Sequence, residues 1–237
     1  MSNTVAVDPA HSEIAAIEIG QSGGETIPAG QESDLSAIFR RHYSNKVQMS
    51  APQIEAIAAA IRSRGPNCNM LVFGLGNDSP LWAALNSAGY TLFLEDVQEW
   101  ITNMLSIHPT LNVEQVSYAG TTVASALQSP NETIGSAQVP LFLLERKWDV
   151  IVVDGPMGYA PGLPGRALPL CWTRQISQTS THIFVDDYDR KLEKSYADFL
   201  FQHLGASRVV LPRPATSDVS ASAMLWLIGC SDPLLGK

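Results

Sequence analysis

From Met70 onward, short apolar runs alternate with segments whose apolar residues recur every three or four positions. The runs predict buried strands and the periodic segments predict helices. The predicted strands are MLVFGLG, TLFLED, a weaker VEQVSYA, WDVIVVDGP, THIFVDD, ASRVVLPRP and AMLWLIGC. The predicted helices are SPLWAALNSAG, VQEWITNMLSIH, GRALPLCWTRQIS and KLEKSYADFLFQHLG. The Ser- and Gln-containing stretch from Thr121 to Val139 is assigned to neither kind of element.

This alternation predicts an α/β fold, with a parallel sheet, helices on both faces and ligands at the carboxyl ends of the strands. The last two predicted strands follow one another without a helix, which predicts an antiparallel hairpin at the edge of the sheet. Class I methyltransferases have such a seven-stranded sheet. The predicted sheet resembles theirs, and this resemblance implies one Rossmann-like class I methyltransferase domain, mostly parallel, with an antiparallel C-terminal edge hairpin.

Three regions are predicted along the chain. Residues 1–33 are rich in Ser, Gly, Glu and Ala and are expected to form a flexible N-terminal leader. Residues 34–66 contain two helical patterns and are expected to form N-terminal helices that cover the site. Within this region, His42 and Gln48 are candidate substrate contacts. Residues 67–237 are expected to form the Rossmann-like domain.

Composition excludes several classes of protein. With a formal charge of −8, a pI near 5.0 and only 15 Lys and Arg residues, the chain is not expected to bind nucleic acid. No segment approaches the roughly 20 apolar residues needed to cross a bilayer. The N-terminus lacks the pattern of a secretory signal, and the three cysteines are widely separated. We therefore expect a cytoplasmic protein with a small-molecule substrate and no membrane partner; homo-oligomerisation is left open.

The first predicted strand ends in the turn LVFGLGNDSP, which contains Gly74 and Gly76. Glycine lets the backbone approach a ligand closely, and the helix that follows presents free N–H groups. Glu95 lies 21 residues beyond Gly74, at the end of the next predicted strand, with Asp96 beside it. An acidic side chain at that place can accept hydrogen bonds from the ribose hydroxyls of an adenosine. These four residues are therefore candidate cofactor contacts.

The third glycine of dinucleotide-binding turns is absent here, and Asp78 follows Asn77 instead. A carboxylate disfavours a pyrophosphate at this place but can bind the ammonium group of S-adenosylmethionine. The turn therefore favours S-adenosylmethionine over NAD, with Asn77 and Asp78 among its contacts. In an alternative interpretation that is compatible with the first, Asp78 or Ser79 caps the following helix.

Asp154 ends a nearly continuous apolar strand and is followed by a loop rich in Gly and Pro. The carboxylate is expected at the carboxyl edge of the sheet, beside the glycine turn, in contact with the cofactor. The loop is of the kind that folds over a site, and its Tyr159 and Arg166 are candidate substrate contacts. Arg166 is expected to pair with an anionic group. The alternative is that Asp154 is a solvated residue at a strand end.

Asp186 and Asp187 end the neighbouring predicted strand. Together with Asp154 they place up to three carboxylates at one edge of the sheet, enough to ligate a divalent metal ion or to supply a general base. Asp154 and Asp187 are the candidate catalytic residues, and all three are candidate metal ligands. A structural alternative is that Asp187 or Asp189 caps a helix.

Three blocks of the chain together resemble the plant glucuronoxylan 4-O-methyltransferase family, also called the polysaccharide-biosynthesis domain family. The blocks are LVFGLGNDSPLWAALNSAGYTLFLED, WDVIVVDGPMGYAPGLPGR and HIFVDDYDRKLEKSYADFL, and the resemblance extends from about Pro52 to Cys230. It implies a class I methyltransferase fold and transfer of a methyl group from S-adenosylmethionine to the 4-hydroxyl of glucuronic acid on xylan. The site residues that it implies are Gly74, Gly76 and Glu95 for the cofactor, Asp154 between cofactor and acceptor, Tyr159 and Arg166 on the substrate-side loop, and Asp187 after the next strand.

The chain also departs from the plant family. Plant members usually have His at the position of Asn77, and a His-Asp pair at the positions of Asp186 and Asp187. They carry an N-terminal membrane anchor that holds them in the Golgi, and no such anchor is expected here. We therefore expect O-methylation of a small hydroxylated or acidic metabolite or sugar acid. The alternatives are an aminopropyl or aminocarboxypropyl transferase that uses S-adenosylmethionine, and a non-catalytic binding protein on the same fold.

Overall fold

The computed structural model describes residues 47–202, 208–216 and 220–228. In these ranges, seven strands form one sheet in the order β3-β2-β1-β4-β5-β7-β6. The strands are β1 (Asn69–Phe73), β2 (Tyr90–Glu95), β3 (Val113–Gln115), β4 (Val150–Val153), β5 (His182–Val185), β6 (Arg208–Arg213) and β7 (Ser222–Ile228). The first five strands pair in parallel, whereas β7 is antiparallel to β5 and to β6. The expected α/β sheet with its antiparallel C-terminal hairpin is confirmed.

Helices cover both faces of this sheet. They are α1 (Ala51–Ser63), α2 (Ser79–Leu85), α3 (Gln98–Ile107), α4 (Val123–Gln128), α5 (Pro130–Ser136), α6 (Leu141–Leu144), α7 (Ala167–Ile176) and α8 (Lys191–Leu200). Side chains alternate across a strand, so Leu71 and Phe73 of β1 pack into one core cluster and Met70 and Val72 into the other. The first cluster contains residues of α7 and α8, and the second contains residues of α1, α2 and α3. Burial on both faces explains why Met70–Phe73 of β1 are all apolar.

Two short helices lie in the stretch that the sequence pattern left unassigned. α4 and α5 have only six and seven residues, too few for apolar periodicity to stand out. α4 begins at Thr122, whose hydroxyl accepts a hydrogen bond from the Ser125 N–H at 3.1 Å. The first two N–H groups of α4 donate to carbonyl oxygens of the loop after β4, those of Leu163 and Pro161. These bonds fix that loop at the carboxyl edge of the sheet.

The N-terminal regions are only partly described. The predicted leader and His42 lie outside the described residues, as does the first of the two predicted N-terminal helices. The second predicted helix is α1, whose Ile54 and Ile57 are fully buried in the same core cluster as Met70 of β1. The division into leader, helical segment and main domain stays a prediction. Over the ranges described, no helix is both long and apolar enough to cross a membrane.

The turns after β1 and β4 approach each other so closely that Gly155 has no room for a side chain. A Cβ at Gly155 would lie 2.6 Å from Gly74 Cα and 2.9 Å from Gly74 N, so Gly155→Ala must push two backbones apart. We expect this change to lower the free energy of unfolding by about 2–3 kcal/mol, measured by urea denaturation. Gly162→Ala is the matched control, because a Cβ there meets nothing within 4 Å. Equal stability of both variants would contradict the close approach.

Candidate active site

The polar residues predicted for the site meet at the carboxyl edge of the sheet, around two adjoining cavities. One cavity of about 380 Å³, here called the glycine-turn cavity, is lined by residues of the turn after β1 and by Glu95, Asp96 and Trp100. The other, of about 360 Å³, is called the arginine cavity and is lined by three arginines and the aspartates that end β4 and β5. Four residues line both cavities: Gly76, Asp78, Asp154 and Met157.

The turn after β1 takes its shape from Gly74, whose φ of +109° is accessible to glycine and strained for other residues. The Gly74 N–H donates to the Leu94 carbonyl at 2.8 Å, which holds the turn against β2. The Gly76 N–H donates to the Ser79 hydroxyl at 2.9 Å. The indole N–H of Trp100 donates to the Leu75 carbonyl. These bonds hold the turn in place, and Gly74, Leu75 and Gly76 all line the glycine-turn cavity.

Glu95 holds the glycine turn and the end of β2 together. Its Oε2 accepts from the Leu75 N–H at 3.1 Å, and its Oε1 accepts from the N–H groups of Asp96 and Val97 at 3.0 and 3.1 Å. Burial raises the pKa of Glu95, although the N–H groups of Val97 and Leu75 oppose that rise. A carboxylate offers about four acceptor sites, so roughly one remains for a ligand hydroxyl. Asp96 lines the same cavity and offers further acceptors.

Asp78 does not cap α2 with its side chain, although it occupies the N-cap position. Instead, its Oδ2 accepts from the indole N–H of the fully buried Trp82 at 2.9 Å. Burial raises the pKa of this carboxyl, the Trp82 hydrogen bond opposes the rise, and the nearby Asp186 adds to it. The capping interpretation is thus wrong for the Asp78 side chain. A cationic group in either cavity would stabilise the charged carboxylate.

Asp187 is enclosed by donors. Its Oδ1 accepts from Arg213 Nη2 at 3.1 Å and from the Ser222 hydroxyl at 3.0 Å. Its Oδ2 lies 3.0 Å from Arg166 Nη2 and 2.9 Å from Arg190 Nη1. Burial alone would raise the pKa of Asp187, but the surrounding guanidinium groups, with Arg166 first, lower it below the usual value. An aspartate held in its charged form by four donors is a poor proton acceptor, so the predicted role of Asp187 as a base does not fit.

Arg166 is nearly buried, with 4% of its side chain exposed. Its Nη2 donates to the Asp154 carbonyl at 2.8 Å, and to the carboxylates of Asp154 and Asp187 at 3.0 Å each. Its Nη1 donates to the Asp186 carbonyl. The terminal nitrogens thus already hold the protein's own oxygens, and the pairing of Arg166 with an anionic substrate group stays a prediction that this geometry does not favour. Arg166 instead fixes the ends of β4 and β5 relative to each other.

Asp154 is the carboxylate at the boundary of the two cavities, and 30% of its side chain is exposed there. Burial raises its pKa well above the usual range, the nearby Asp186 adds to that rise, and Arg166 opposes it. A carboxylate with a raised pKa that faces a cavity is suited to accept a proton near neutral pH. The structure thus distinguishes the two predicted catalytic residues, and favours Asp154 as the base.

The three candidate metal ligands do come together. Carboxylate oxygens of Asp154, Asp186 and Asp187 lie within 4.8 Å of one another. However, Arg166 bridges two of them, and Arg213 lies 3.4 Å from Asp186 and 3.1 Å from Asp187. A divalent cation would compete with these guanidinium groups for the same oxygens, so this donor set does not fit a resident metal ion.

Three further predicted residues, Asn77, Gln48 and Tyr159, line the arginine cavity and are exposed. Tyr159 has 71% of its surface exposed. Sequence reasoning missed Arg190 and Arg213, because nothing local marks a residue of β6 as a partner of the loop after β5. It also missed a third cavity of about 570 Å³ between the end of β3 and the loop after β4, lined by Asp96, residues 115–121, Gly162 and Pro164.

Comparison with curated proteins finds plant relatives. The chain is 33% identical to Arabinogalactan O-methyltransferase 2 of Arabidopsis thaliana over 64% of this chain and 60% of that protein. It is 31% identical to Protein IRREGULAR XYLEM 15 of the same plant over 79% of this chain and 69% of that protein. It is 30% identical to Glucuronoxylan 4-O-methyltransferase 1, also from Arabidopsis thaliana, over 66% of this chain and 64% of that protein. The matched part thus spans less than two thirds of two of these relatives.

These relatives overturn the expected cytoplasmic location. Two of them are named for glucuronoxylan and arabinogalactan, which are plant cell-wall polysaccharides, and proteins of this kind are typically located in the Golgi. The expectation rested on the composition of the N-terminus and on the cysteine spacing, neither of which determines where a protein works.

A family model agrees with the resemblance of the three sequence blocks. The model described as IRX15/IRX15L/GXM matches residues 52–138 and 125–208, which together make up more than half of the chain. The matched residues include the glycine turn, the acidic end of β2, Asp154 with its loop, and the aspartates after β5. On this match and on its similarity to Protein IRREGULAR XYLEM 15, the chain belongs to the IRX15/IRX15L/GXM family.

Proposed function

We propose that the chain is an S-adenosylmethionine-dependent methyltransferase that methylates a hydroxyl group of a sugar within a polysaccharide. One observation supports this most directly: Asp154 lines both the glycine-turn cavity and the arginine cavity. A methyl donor in the first and an acceptor in the second would meet beside a carboxylate with a raised pKa. Methyl transfer to oxygen requires that arrangement, because the acceptor hydroxyl must lose its proton.

The glycine-turn cavity fits the proposed cofactor. Gly74 and Gly76 leave room for close approach to the backbone, and Glu95 and Asp96 offer acceptors for ribose hydroxyls. Asp78, deeper between the two cavities, is an anionic group that a ligand ammonium would stabilise. When bound, S-adenosylmethionine supplies an electrophilic methyl group. The pyrophosphate of NAD would instead meet the Asp78 carboxylate.

The arginine cavity suits a sugar hydroxyl. Asp154 accepts its proton, while Arg166 holds the carboxylate in place through the 3.0 Å contact to Oδ1. Tyr159 stands exposed at the cavity and offers an aromatic face to a sugar ring, and Gln48 and Asn77 offer amide groups for hydrogen bonds to its hydroxyls. The wide exposure of Tyr159 leaves room for an acceptor that extends beyond the cavity.

The names of the relatives support a polysaccharide acceptor, since Arabinogalactan O-methyltransferase 2 and Glucuronoxylan 4-O-methyltransferase 1 are both named for one. They do not support the small metabolite expected from the sequence. A second candidate function is binding without catalysis, because Protein IRREGULAR XYLEM 15, which matches 79% of this chain, has a name that states no activity.

Calorimetry with S-adenosylhomocysteine tests the cofactor proposal. We expect binding to the wild-type protein, and a dissociation constant at least tenfold higher in Glu95→Ala, since a hydrogen bond to a charged group contributes about 1.5–3 kcal/mol. Glu114→Ala is the matched control, because Glu114 is an exposed residue of β3 outside the glycine-turn cavity. No binding to folded wild-type protein would refute the proposal, and equal affinity of the two variants would refute the role of Glu95.

Transfer of a labelled methyl group then separates the candidate functions. Oligosaccharides from glucuronoxylan and from arabinogalactan are the acceptors, and release of S-adenosylhomocysteine is measured in parallel. Label on the sugar supports the methyltransferase. Tight cofactor binding without label on either acceptor supports the binding protein. Accumulation of methylthioadenosine would indicate an aminopropyl or aminocarboxypropyl transferase instead.

A further inference from the structure

Glu193 is a buried carboxyl group without a visible partner. It lies in the first turn of α8 and has no exposed surface. Neither of its carboxylate oxygens has a hydrogen-bond partner among the residues described. A buried polar group in that state destabilises the fold, and such groups are rare in native proteins. Its presence directly behind the candidate active site therefore requires a reason.

The surroundings of Glu193 connect it to the loop after β4. A Cβ built at Gly158 would lie 3.0 Å from Glu193 Oε1, and one at Gly165 would lie 2.5 Å from Leu192 Cδ2. Small residues of the loop thus pack directly on the first turn of α8. Burial raises the pKa of Glu193, and the Arg166 guanidinium is the largest opposing influence. Glu193 and Arg166 are therefore electrostatic neighbours.

Arg166 also has a buried polar atom for which the described residues provide no hydrogen-bond partner. Its terminal nitrogens hold Asp154, Asp186 and Asp187 on the side of the cavity. Its Nε is buried and, in the described part of the chain, has no acceptor. The Arg166 Nε–H donor and the Glu193 carboxylate acceptor are thus both buried, both without a hydrogen-bond partner among the described residues, and close to each other in the structure. A hydrogen bond between them, direct or through one buried water, would satisfy both groups.

We propose that Glu193 is a positioning residue that holds Arg166 from behind, through its Nε–H, and thereby fixes the carboxylate of Asp154 in the active site. The proposal rests on the proposed methyltransferase function only for its effect on catalysis. A planar guanidinium anchored at Nε as well as at both terminal nitrogens cannot rotate about its side-chain axis. Glu193 lines neither cavity, so it does not touch a ligand there and is proposed to act by holding Arg166.

Two replacements separate the acceptor from the charge. Glu193→Leu removes the acceptor at similar size, and Glu193→Gln keeps a neutral acceptor oxygen. We expect Glu193→Leu to lower kcat roughly 10- to 100-fold, because a misplaced catalytic group costs about that much, and Glu193→Gln to lower it less. The affinity for S-adenosylhomocysteine should stay within about twofold of wild type, since calorimetry reports on a cavity that Glu193 does not line. Glu132→Leu is the control, because Glu132 is an exposed residue in the first turn of α5.

A readout that is independent of activity decides the inference. The Nε–H signal of Arg166 in a ¹⁵N–¹H spectrum, identified by its loss in Arg166→Lys, should move in both Glu193 variants and stay in place in Glu132→Leu. An unmoved signal in Glu193→Gln overturns the proposal, even if Glu193→Leu fails to fold. An unchanged kcat in folded Glu193→Leu overturns it as well. Absence of turnover in the wild type would count against the proposed function and leave the spectral test valid.

Discussion

Asp154→Asn should lower kcat by roughly 10²–10⁴-fold, the usual contribution of a general base. The change replaces one carboxylate oxygen with an amide and keeps nearly the same shape. The amide oxygen can still accept from Arg166 Nη2, which lies 3.0 Å from Asp154 Oδ1, so the fold should be retained. What is lost is the ability to take a proton from the acceptor hydroxyl. The affinity for S-adenosylhomocysteine should change only a few-fold.

The pH dependence of kcat provides a second measurement on the same residue. Asp154 must be deprotonated to act as a base, and its pKa is raised by burial and by Asp186 against the opposing Arg166. The rate of the wild-type enzyme should therefore fall on the acidic side, at a higher pH than an ordinary aspartate titrates. The activity that remains in Asp154→Asn should no longer show this fall on the acidic side.

Asp189→Asn is the matched control for this prediction. Asp189 belongs to the same group of acidic residues in sequence, but it is exposed and lines neither cavity. Its Oδ1 accepts from the Ala223 N–H at 2.9 Å and lies 2.7 Å from the Ser222 hydroxyl, whose single hydrogen it shares with Asp187, which is a structural role. Its kcat should stay within about twofold of wild type. Equal loss in the two variants, or full activity of Asp154→Asn, would exclude Asp154 as the base.

The fold was predictable because each of its strands is marked by a short apolar run in the sequence itself. Each strand of the parallel sheet is a short, buried apolar run, and parallel strands bring their carboxyl ends to one edge. From that rule alone, the sequence places Gly74, Glu95, Asp154 and Asp187 together, as the structure does. The antiparallel hairpin was predictable for the same reason, since two strand patterns stand without a helix between them.

The chemistry of the arginine cavity was not predictable from local pattern. Asp187 is paired with Arg213, which follows it by 26 residues and comes from the far strand of the hairpin. The sequence indicates that Arg166 lies on a loop near the site, but it does not indicate which oxygens accept hydrogen bonds from its guanidinium group. The contacts of Asp187 and Arg166 with each other, and of Asp187 with Arg213, therefore became visible only in the structure. Glu193 gave no signal at all, because an acidic residue in the first turn of a helix is common.

Arg166→Met should be strongly destabilising, lowering the free energy of unfolding by about 3–5 kcal/mol near neutral pH. The guanidinium is nearly buried and contacts two carboxylates at 3.0 Å, and Asp186 lies close to both of them. Met has similar length and no charge, so the variant retains most of the packing. The cost comes from leaving Asp154 and Asp187 charged beside each other without their shared partner.

Arg190→Met provides the comparison, because Arg190 contacts the same Asp187 at 2.9 Å but is 35% exposed. An ion pair that is open to solvent contributes about 0–1 kcal/mol, so this variant should lose at most that amount. Urea denaturation of both variants and the wild type measures the difference. Similar losses in the two variants would contradict the central place of Arg166 in the network.

The pH dependence separates lost charge from lost packing. In the wild type, the lowered pKa of Asp187 contributes stability that is present above the pKa of the unfolded chain and is lost as the pH falls through the lower folded value. In Arg166→Met, Asp187 keeps Arg190 and Arg213, whereas Asp154 loses the guanidinium that opposes its raised pKa and destabilises the fold further while it is charged. The deficit of the variant should therefore be largest at about pH 8 and should shrink toward about pH 4, as Asp154 protonates. A deficit that stays constant over this range would show that Arg166 stabilises the protein through packing, and that the carboxylates at the ends of β4 and β5 do not depend on it for their charge.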